Sequence, residues 1–256
     1  MAKLDVHQFV CLKDNYGVLV HDPVSGQTAS IDVPEAEPVR RALNAKGWKL
    51  THILVTHHHA DHTQGIAAIK SETGAVVVGP RAEAAKINGL DRTVGEGDKL
   101  MFGDFEVRVL DTPGHTSGHI TYWIPSVAVA FAGDTLFALG CGRVIEGTME
   151  MMWRSLAKLA AMPPETMVYC GHEYTLSNAR FALTIEPEND ALKRRAAEIE
   201  KLVTAGTATL PTQIGLELET NPFLRPQSPA IRKRLGLEKA ADWQVFAEVR
   251  ERKNRS

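Results

Sequence analysis

The sequence predicts an α+β protein with a strand-rich first part and a helical second part. Short β-type runs broken by turns dominate residues 1–172, and stretches with helical period dominate residues 173–256. Histidine and aspartate residues recur where predicted strands end. The change of pattern near residue 172 is the predicted boundary between two domains.

The strand candidates are apolar and β-branched, and Gly, Pro or Asp turns bound them. In chain order they are VHQFVCL, YGVLVHD, TASIDV, LTHILVT, AVVVG, FEVRVLDT, GHITYWI, VAVAFAG and TMVYCG. Two helices are predicted among them, EAEPVRRALNAKGW ending near Gly47 and DHTQGIAAIKSETG ending near Gly74. The pattern changes from MEMMWRSLAKLAAMP onward, and the later helices are TLSNARFALTI, ENDALKRRAAEIEKLVTAG and DWQVFAEVRERK.

Composition excludes several classes of protein. The 256 residues are 44% hydrophobic and 23% charged, which is typical of a globular protein with a core. A net charge of −2 argues against a general binder of nucleic acid or membrane surfaces. The longest apolar run, residues 127–133, is far shorter than the roughly 20 residues that cross a bilayer. With no CxxC pair and no signal-peptide pattern, we expect a cytoplasmic protein. We also expect a monomer.

The stretch HHHADH, residues 57–62, predicts a metal site together with three later loops. TPGHTSGH, FAGDTLF and VYCGHEYT each place a histidine or aspartate after a predicted strand and a turn. Loops at strand ends are where rigid scaffolds present functional groups, and they can converge at one sheet edge. The candidate ligands are His57, His59, Asp61, His62, His115, Asp134 and His172.

The residue types indicate the class of metal. Imidazole and carboxylate without cysteine suit catalytic zinc, iron or manganese better than structural zinc. Seven ligands exceed the need of one ion and fit two ions that share a carboxylate. In extended backbone His57 and His59 point the same way and can chelate one ion, while Asp61 and His62 turn toward a second. We expect two divalent ions per chain, zinc first with iron or manganese as alternatives, and a structural role for His58.

These motifs resemble the metallo-β-lactamase superfamily, whose pattern HxHxDH followed by His, Asp and His is matched in full. Within it the chain is similar to glyoxalase II, the hydroxyacylglutathione hydrolase family. The stretches that carry this similarity are DNYGVLV, VTHHHADHTQG, TPGHTSGH, FAGDTLFALGCGRVIEGT, CGHEYTLSNARFAL, NPFLR and VRERKN. The resemblance implies a four-layer αββα sandwich as the catalytic domain in 1–172 and a helical glutathione-binding domain in 173–256.

The resemblance also implies roles for individual residues. The first metal would be held by His57, His59 and His115, the second by Asp61, His62 and His172, with Asp134 bridging them. Asp61 and Asp134 would orient the metal-bound hydroxide, and no side-chain nucleophile would be needed. Glutathione would be held by Arg143, Tyr174, Arg250 and Lys253. Two positions depart from the family pattern: Arg143 stands where lysine is common, and Gly17 where bulkier residues are usual.

The implied activity is hydrolysis of S-D-lactoylglutathione and related 2-hydroxyacylglutathiones to D-lactate and glutathione, the second step of methylglyoxal detoxification. The sequence lacks GxSxG, which argues against a serine thioesterase. The main alternative is a glutathione persulfide dioxygenase of the same superfamily with a mononuclear iron. A nuclease is disfavoured by the near-neutral charge. A non-catalytic metal-binding module is disfavoured because the ligand set leaves an open two-metal site.

Overall fold

The parallel strands of the first sheet bring the ends of several loops to one edge. The computed structural model describes residues 3–256, in two units. Unit 1 is the chain up to Asp111 together with Thr116–Gly133, and unit 2 is Thr112–His115 with Asp134–Ser256. The predicted domain boundary at residue 172 stays a prediction.

The first sheet of unit 1 is mixed and follows chain order. Its strands are β1 (Asp5–Cys11), β2 (Asn15–His21), β3 (Thr28–Ile31), β4 (His52–Leu54), β5 (Val76–Pro80) and β6 (Arg92–Val94). The first three pair antiparallel, and β3 to β6 pair parallel. Parallel neighbours need crossover connections: α1 (Ala36–Lys46) lies between β3 and β4, α2 (Ala60–Thr63) and α3 (Ile66–Thr73) lie between β4 and β5, and a 3-10 helix (Arg81–Lys86) lies between β5 and β6. Side chains of α1 and α3 join those of β4 and β5 in one core cluster.

The predicted single helix over residues 61–74 is two helices in the structure. α2 and α3 are separated at Gln64 and Gly65, where the backbone passes close to the start of α1. The amide N–H of Gly65 donates to the carbonyl oxygen of Val33 at 3.0 Å. A Cβ on Gly65 would lie 2.8 Å from the backbone nitrogen of Ala36, so only glycine fits this approach.

The second sheet of unit 1 packs against the first through a buried tyrosine. Its strands β7 (Lys99–Phe102), β8 (Phe105–Asp111), β9 (Ile120–Ile124) and β10 (Val129–Phe131) form consecutive antiparallel pairs. Tyr122 on β9 is fully buried, and its hydroxyl lies 3.0 Å from the carbonyl oxygen of Val55 and 3.3 Å from that of Val78. A buried hydroxyl needs such partners, so this contact aligns the two sheets.

Unit 2 is mainly helical. Its strands are β11 (Leu136–Phe137), β12 (Gly140–Cys141), β13 (Met167–Tyr169) and β14 (Thr212–Gln213), paired as two antiparallel ribbons. Its helices are α4 (Met149–Ala160), α5 (Thr175–Ile185), α6 (Asp190–Thr204), α7 (Ile214–Thr220), α8 (Pro229–Leu235) and α9 (Asp242–Asn254). Apolar residues of α5 and α6 pack together around Leu139.

The strand and helix predictions are confirmed for the long elements, and the short ones were missed. The pattern did not predict β6, β7, β11, β12 and β14, which have two to four residues, or α7 and α8, which have seven each. Elements this short show too few repeats for a period to emerge. Within residues 3–256, no helix combines the length and apolar character that a membrane span requires.

The structure gives a physical reason for Gly17. Gly17 on β2 lies opposite Phe9 on β1 in the antiparallel pair. The Phe9 ring packs against the core cluster of unit 1 and covers the glycine, because a Cβ there would lie 2.5 Å from Phe9 Cζ and 3.1 Å from Cys11 Sγ. The space that a bulkier residue would take is filled by the ring.

Gly17→Ala should therefore lower the free energy of unfolding by about 1–3 kcal/mol through overpacking. In a Phe9→Ala background the same change should become stabilising by about 0.5–1 kcal/mol, the usual gain of alanine over glycine in a strand. Denaturant unfolding of the four members of the double-mutant cycle measures this coupling. Equal costs in both backgrounds would contradict the assignment.

Candidate active site

The loop after β4 brings three imidazoles of unit 1 together. The ring of His57 lies 4.8 Å from that of His59 and 4.1 Å from that of His62, centroid to centroid. His57 and His62 are buried, with 0% and 1% of their surface exposed. The alternation of an extended segment explains the pairing of His57 with His59, and the first turn of α2 carries His62 to the same place.

A buried aspartate that the sequence analysis missed orients two of these rings. Asp32 follows β3, and its carboxylate accepts hydrogen bonds from His62 Nδ1 (2.8 Å), the Thr56 hydroxyl (2.8 Å) and the Thr56 amide (2.7 Å). The Thr56 hydroxyl, having donated to Asp32, accepts from His57 Nδ1 at 3.0 Å. Both rings thus carry their proton on Nδ1, so Nε2 is the nitrogen that could bind a metal. Asp32 ends the stretch TASID, so its position after a predicted strand was the available signal.

Asp32 is also near enough to be considered as a ligand. One ligand atom of each of Asp32, His57 and His62 lies within 4.8 Å of those of the other two. Since its carboxylate oxygens already accept three hydrogen bonds from Thr56 and His62, we assign it the orienting role.

Asp61 lies at the entry of α2 and is held by an asparagine of β2. The side-chain amide of Asn15 donates to the backbone oxygen and to Oδ2 of Asp61, both at 3.1 Å. The Asp61 side chain is 42% exposed, and its Oδ2 lies 3.8 Å from Nε2 of His62. Asn15 is buried, so its amide fixes the orientation of a carboxylate that is itself open to solvent.

The ring of His58 lies 4.9 Å from that of His59, centroid to centroid, and His58 bonds to a second buried carboxylate that the sequence analysis missed. Glu83 accepts from the His58 amide at 2.7 Å and from His58 Nδ1 at 2.9 Å. Its other oxygen accepts from the Gly118 amide at 2.9 Å. One fully buried side chain thus ties the segment 57–62 to the segment 116–119 within unit 1. No sequence signal pointed to Glu83, because it lies in a short 3-10 segment between strands.

Unit 2 brings the three remaining candidate ligands together around one carboxylate oxygen. Oδ2 of Asp134 lies 3.4 Å from Nε2 of His115 and 3.2 Å from Nε2 of His172. All three residues are buried. His115 donates from Nδ1 to the carbonyl oxygen of Arg143 at 2.9 Å, so Nε2 is the nitrogen that could bind a metal. A carboxylate with two imidazoles is a donor set that suits a divalent metal.

A cavity of about 370 Å³ in unit 2 opens beside this cluster. Its walls include three cationic side chains, an exposed tyrosine and small polar residues. They are His115, Asp134, Phe137, Cys141, Gly142, Arg143, Tyr174, Ser177, Asn178, Arg250, Lys253, Asn254 and Ser256. The ring of Tyr174 stacks on that of His172, with centroids 4.8 Å apart and planes at 3°. All four residues predicted to hold the substrate therefore line the same cavity as two of the predicted ligands.

The three cationic side chains of this cavity differ in their burial and in their contacts with other residues of the protein. Arg250 is only 5% exposed: it donates to the carbonyl oxygen of Cys141 at 2.8 Å and lies over the Phe223 ring at 5.1 Å. Arg143 is exposed. Lys253 is intermediate, with its ammonium 3.0 Å from the hydroxyl of Ser177. Burial, and then the charge of Arg250, lower the pKa of Lys253 from its ordinary value.

The two cysteines near the site are not nucleophiles. Cys141 and Cys170 are buried free thiols. Burial raises the pKa of Cys141 to about 11, and it raises that of Cys170 as well. Both are therefore neutral thiols near pH 7, and a neutral thiol is a poor nucleophile.

Two family models together match the chain from residue 9 to residue 256. Residues 9–172 match the family model of the metallo-β-lactamase superfamily, and residues 173–256 match that of the hydroxyacylglutathione hydrolase C-terminus. A hydroxyacylglutathione hydrolase of Rhizobium meliloti (strain 1021) is 57% identical over 254 residues, 99% of each chain. The solved structure of the B3 metallo-β-lactamase BLEG-1 has a TM-score of 0.68 at 21% identity, covering 86% of this chain and 100% of that one. The protein TTHA1623, solved in a di-iron-bound form, has a TM-score of 0.62 at 25% identity with the same coverage.

The fold and the histidine–aspartate clusters define a hydrolase of the metallo-β-lactamase superfamily, a class whose clustered donors suit divalent metals. Within that superfamily, the chain belongs to the hydroxyacylglutathione hydrolase family. The predicted fold class and the predicted family are thereby confirmed. The assignment of the seven ligands and of the four substrate contacts stays a prediction.

Glu83→Gln should lower the free energy of unfolding by about 3 kcal/mol, because an amide cannot accept all the buried hydrogen bonds that the carboxylate now accepts. Urea unfolding followed by circular dichroism measures the change. The matched control is Glu72→Gln, whose side chain pairs with Arg40 at the surface. It should change stability by less than about 1 kcal/mol. Similar costs for both variants would show that Glu83 does not hold the two segments.

Proposed function

We propose that this protein hydrolyses S-D-lactoylglutathione, and related 2-hydroxyacylglutathiones, to D-lactate and glutathione. The observation that carries the proposal is the cavity of unit 2, which Asp134 and His115 line together with Arg143, Lys253 and Tyr174. A glutathione thioester has a reacting carbonyl at one end and two carboxylates in its tail. The relative named hydroxyacylglutathione hydrolase, 57% identical over 99% of both chains, supports the same substrate.

Two divalent ions per chain would be held by the seven predicted ligands, with Asp134 between them. We propose zinc as the metal, with iron or manganese as alternatives. The donor set fits: Nδ1 of His57, His62 and His115 is committed to protein acceptors, so each ring offers Nε2. The di-iron form of TTHA1623 supports a two-metal site. When bound, such ions lower the pKa of coordinated water and polarise a carbonyl oxygen.

The residues of the chain then have distinct tasks. Asp134 and Asp61 accept hydrogen bonds from the attacking water and orient it, and Asn15 keeps the Asp61 carboxylate in place. Arg143 and Lys253 bind the carboxylates of the glutathione tail, Arg143 with the bidentate geometry of a guanidinium. The reaction adds the oxygen of water to the acyl carbon and breaks the carbon–sulfur bond, and the released thiol takes the proton. No side chain forms a covalent bond.

The setting of this activity is also part of the proposal. We place the protein in the cytoplasm as a monomer that acts on a small molecule, without nucleic-acid or membrane partners. The three buried thiols are consistent with a reducing compartment. Size-exclusion chromatography with light scattering would check the oligomeric state.

The decisive assay measures S-D-lactoylglutathione hydrolysis and metal content on the same preparation. We expect thioester cleavage with about two equivalents of divalent metal per chain. Asp134→Ala should lose most of the metal and reduce kcat by at least about a hundredfold, whereas the surface control Asp190→Ala should match the parent. Oxygen consumption with glutathione persulfide, together with one iron and no thioester cleavage, would instead establish the dioxygenase alternative.

The lowered pKa of Lys253 predicts an alkaline limit on substrate binding. The ammonium binds a carboxylate only while protonated, so KM should begin to rise at a lower pH than an ordinary lysine would dictate. Lys253→Arg should move that rise to higher pH, because the guanidinium keeps its proton.

Lys253→Ala should raise KM about tenfold at neutral pH, with a much smaller change in kcat and without the alkaline rise. Steady-state kinetics from pH 6 to 10 tests both variants. The control is Lys193→Ala, a surface lysine that pairs with Asp190. If Lys253→Arg kept the parent's pH profile, another group would be responsible for the alkaline limit.

A further inference from the structure

A tight hairpin connects two predicted parts of the site in unit 2. β11 and β12 pair Leu136 with Cys141 and Phe137 with Gly140, so residues 138 and 139 form its tip. Asp134 lies just before the hairpin, and Arg143 lies just after it. The tip residue Leu139 has φ = 55°, a left-handed conformation that is unfavourable for leucine. Contacts from surrounding residues must therefore stabilise this conformation of Leu139.

Three buried side chains hold the backbone of this tip. Glu217 accepts from the amide of Leu139 at 2.9 Å through Oε2. The amide of Asn221 donates to the carbonyl oxygen of Gly140 at 3.0 Å and also to Oε2 of Glu217 at 2.9 Å. The amide of Asn178 donates to the carbonyl oxygen of Ala138 at 3.0 Å.

Glu217 is in turn held by a buried arginine on α6. Arg195 forms an ion pair with Oε1 of Glu217 and donates to the hydroxyls of Thr220 at 2.6 Å and Thr212 at 2.9 Å. The hydroxyl of Thr212 donates to the same carboxylate oxygen. The Glu217 carboxylate therefore has one oxygen committed to Arg195 and Thr212 and the other to the hairpin.

We propose that Glu217, together with Asn221, is a positioning residue that acts on the site through this hairpin. The inference rests on the proposed function for its catalytic consequence. The hairpin sets the location of the Arg143 carbonyl oxygen, which accepts from His115 Nδ1 and so presents Nε2 of His115. It also sets the direction of the Arg143 side chain in the cavity.

A purely stabilising role is the alternative, and the ion pair itself argues against it. Buried ion pairs contribute little net stability over apolar residues of the same shape. The geometry of Glu217 instead satisfies the amide of a strained residue, the usual signature of a structural requirement at a functional site. A stability role and a positioning role make different predictions for KM, since partial unfolding lowers the active fraction and leaves KM unchanged.

The unit offers a matched control for this comparison. Glu186 is also buried, and it pairs with Arg225 at 2.9 Å through both of its oxygens. It further accepts from Asn189 at 3.0 Å and from Ser228 at 2.7 Å, which lie outside the hairpin. Glu186→Gln therefore perturbs a buried ion pair of the same unit without touching the tip.

The experiment compares Glu217→Gln with Glu186→Gln in the full-length, metal-loaded protein. Hydrogen exchange is followed by mass spectrometry for residues 134–143, without substrate, and kinetics are measured on S-D-lactoylglutathione. In Glu217→Gln we expect at least about tenfold faster exchange of this segment, the loss of roughly one hydrogen bond's protection. We also expect KM to rise about fivefold and kcat to fall about tenfold. Glu186→Gln should leave both KM and the exchange of 134–143 unchanged.

Defined outcomes overturn the inference. Unchanged exchange in Glu217→Gln, or equal changes in both variants, would reduce Glu217 to a stabilising residue. If Glu217→Gln does not fold, Asn221→Ser carries the same test, since it removes the donor to Gly140 and retains Glu217. If the parent protein cleaved no thioester while the exchange difference appeared, the proposed function would fail and the positioning of the hairpin would stand.

Discussion

The carboxylate of Asp32 is the interaction on which the geometry of the histidine cluster depends. A buried carboxylate must be fully hydrogen-bonded, and this one uses its acceptors on Thr56 and His62. Through the Thr56 hydroxyl the constraint extends to His57. One side chain thus decides which nitrogen two imidazoles present, although it follows a different strand from theirs. The left-handed backbone of Asp32, with φ = 55°, is the local cost, of about 1–2 kcal/mol.

In unit 2 a histidine ring is oriented by a backbone carbonyl oxygen, whereas in unit 1 a carboxylate has this role. His115 is oriented by the carbonyl oxygen of Arg143, so its direction is only as well defined as the segment that carries Arg143. That segment leaves a hairpin with a strained tip, and buried polar groups from α5 and α7, with Asn221 beyond them, hold the tip in place. The helical part of the chain therefore helps to orient the His115 ring and also forms part of the cavity wall.

The distribution of cations in the cavity follows from the cost of burying charge. Arg250 is almost fully buried and satisfied within the protein, by Cys141 and the face of Phe223. Lys253 is half-buried, and burial followed by the charge of Arg250 lowers its pKa. Under the proposed function, an anionic tail supplies a counter-charge. Substrate binding should then draw Lys253 back to the protonated state at alkaline pH.

Residue patterning alone determined the long strands and helices, and the spacing of HHHADH together with three later loops determined the candidate ligands. Alternation and helical period are local, so a single sequence carries them. Tertiary structure decided the rest: the break at Gly65, the ring over Gly17, and the orienting carboxylates Asp32, Glu83 and Glu217. These depend on which groups meet in the folded chain, from Phe9 over Gly17 in a neighbouring strand to Glu217 at the amide of Leu139. A single buried acid carries too little local pattern to show its role, and its hydrogen bonds in the folded chain reveal what it holds.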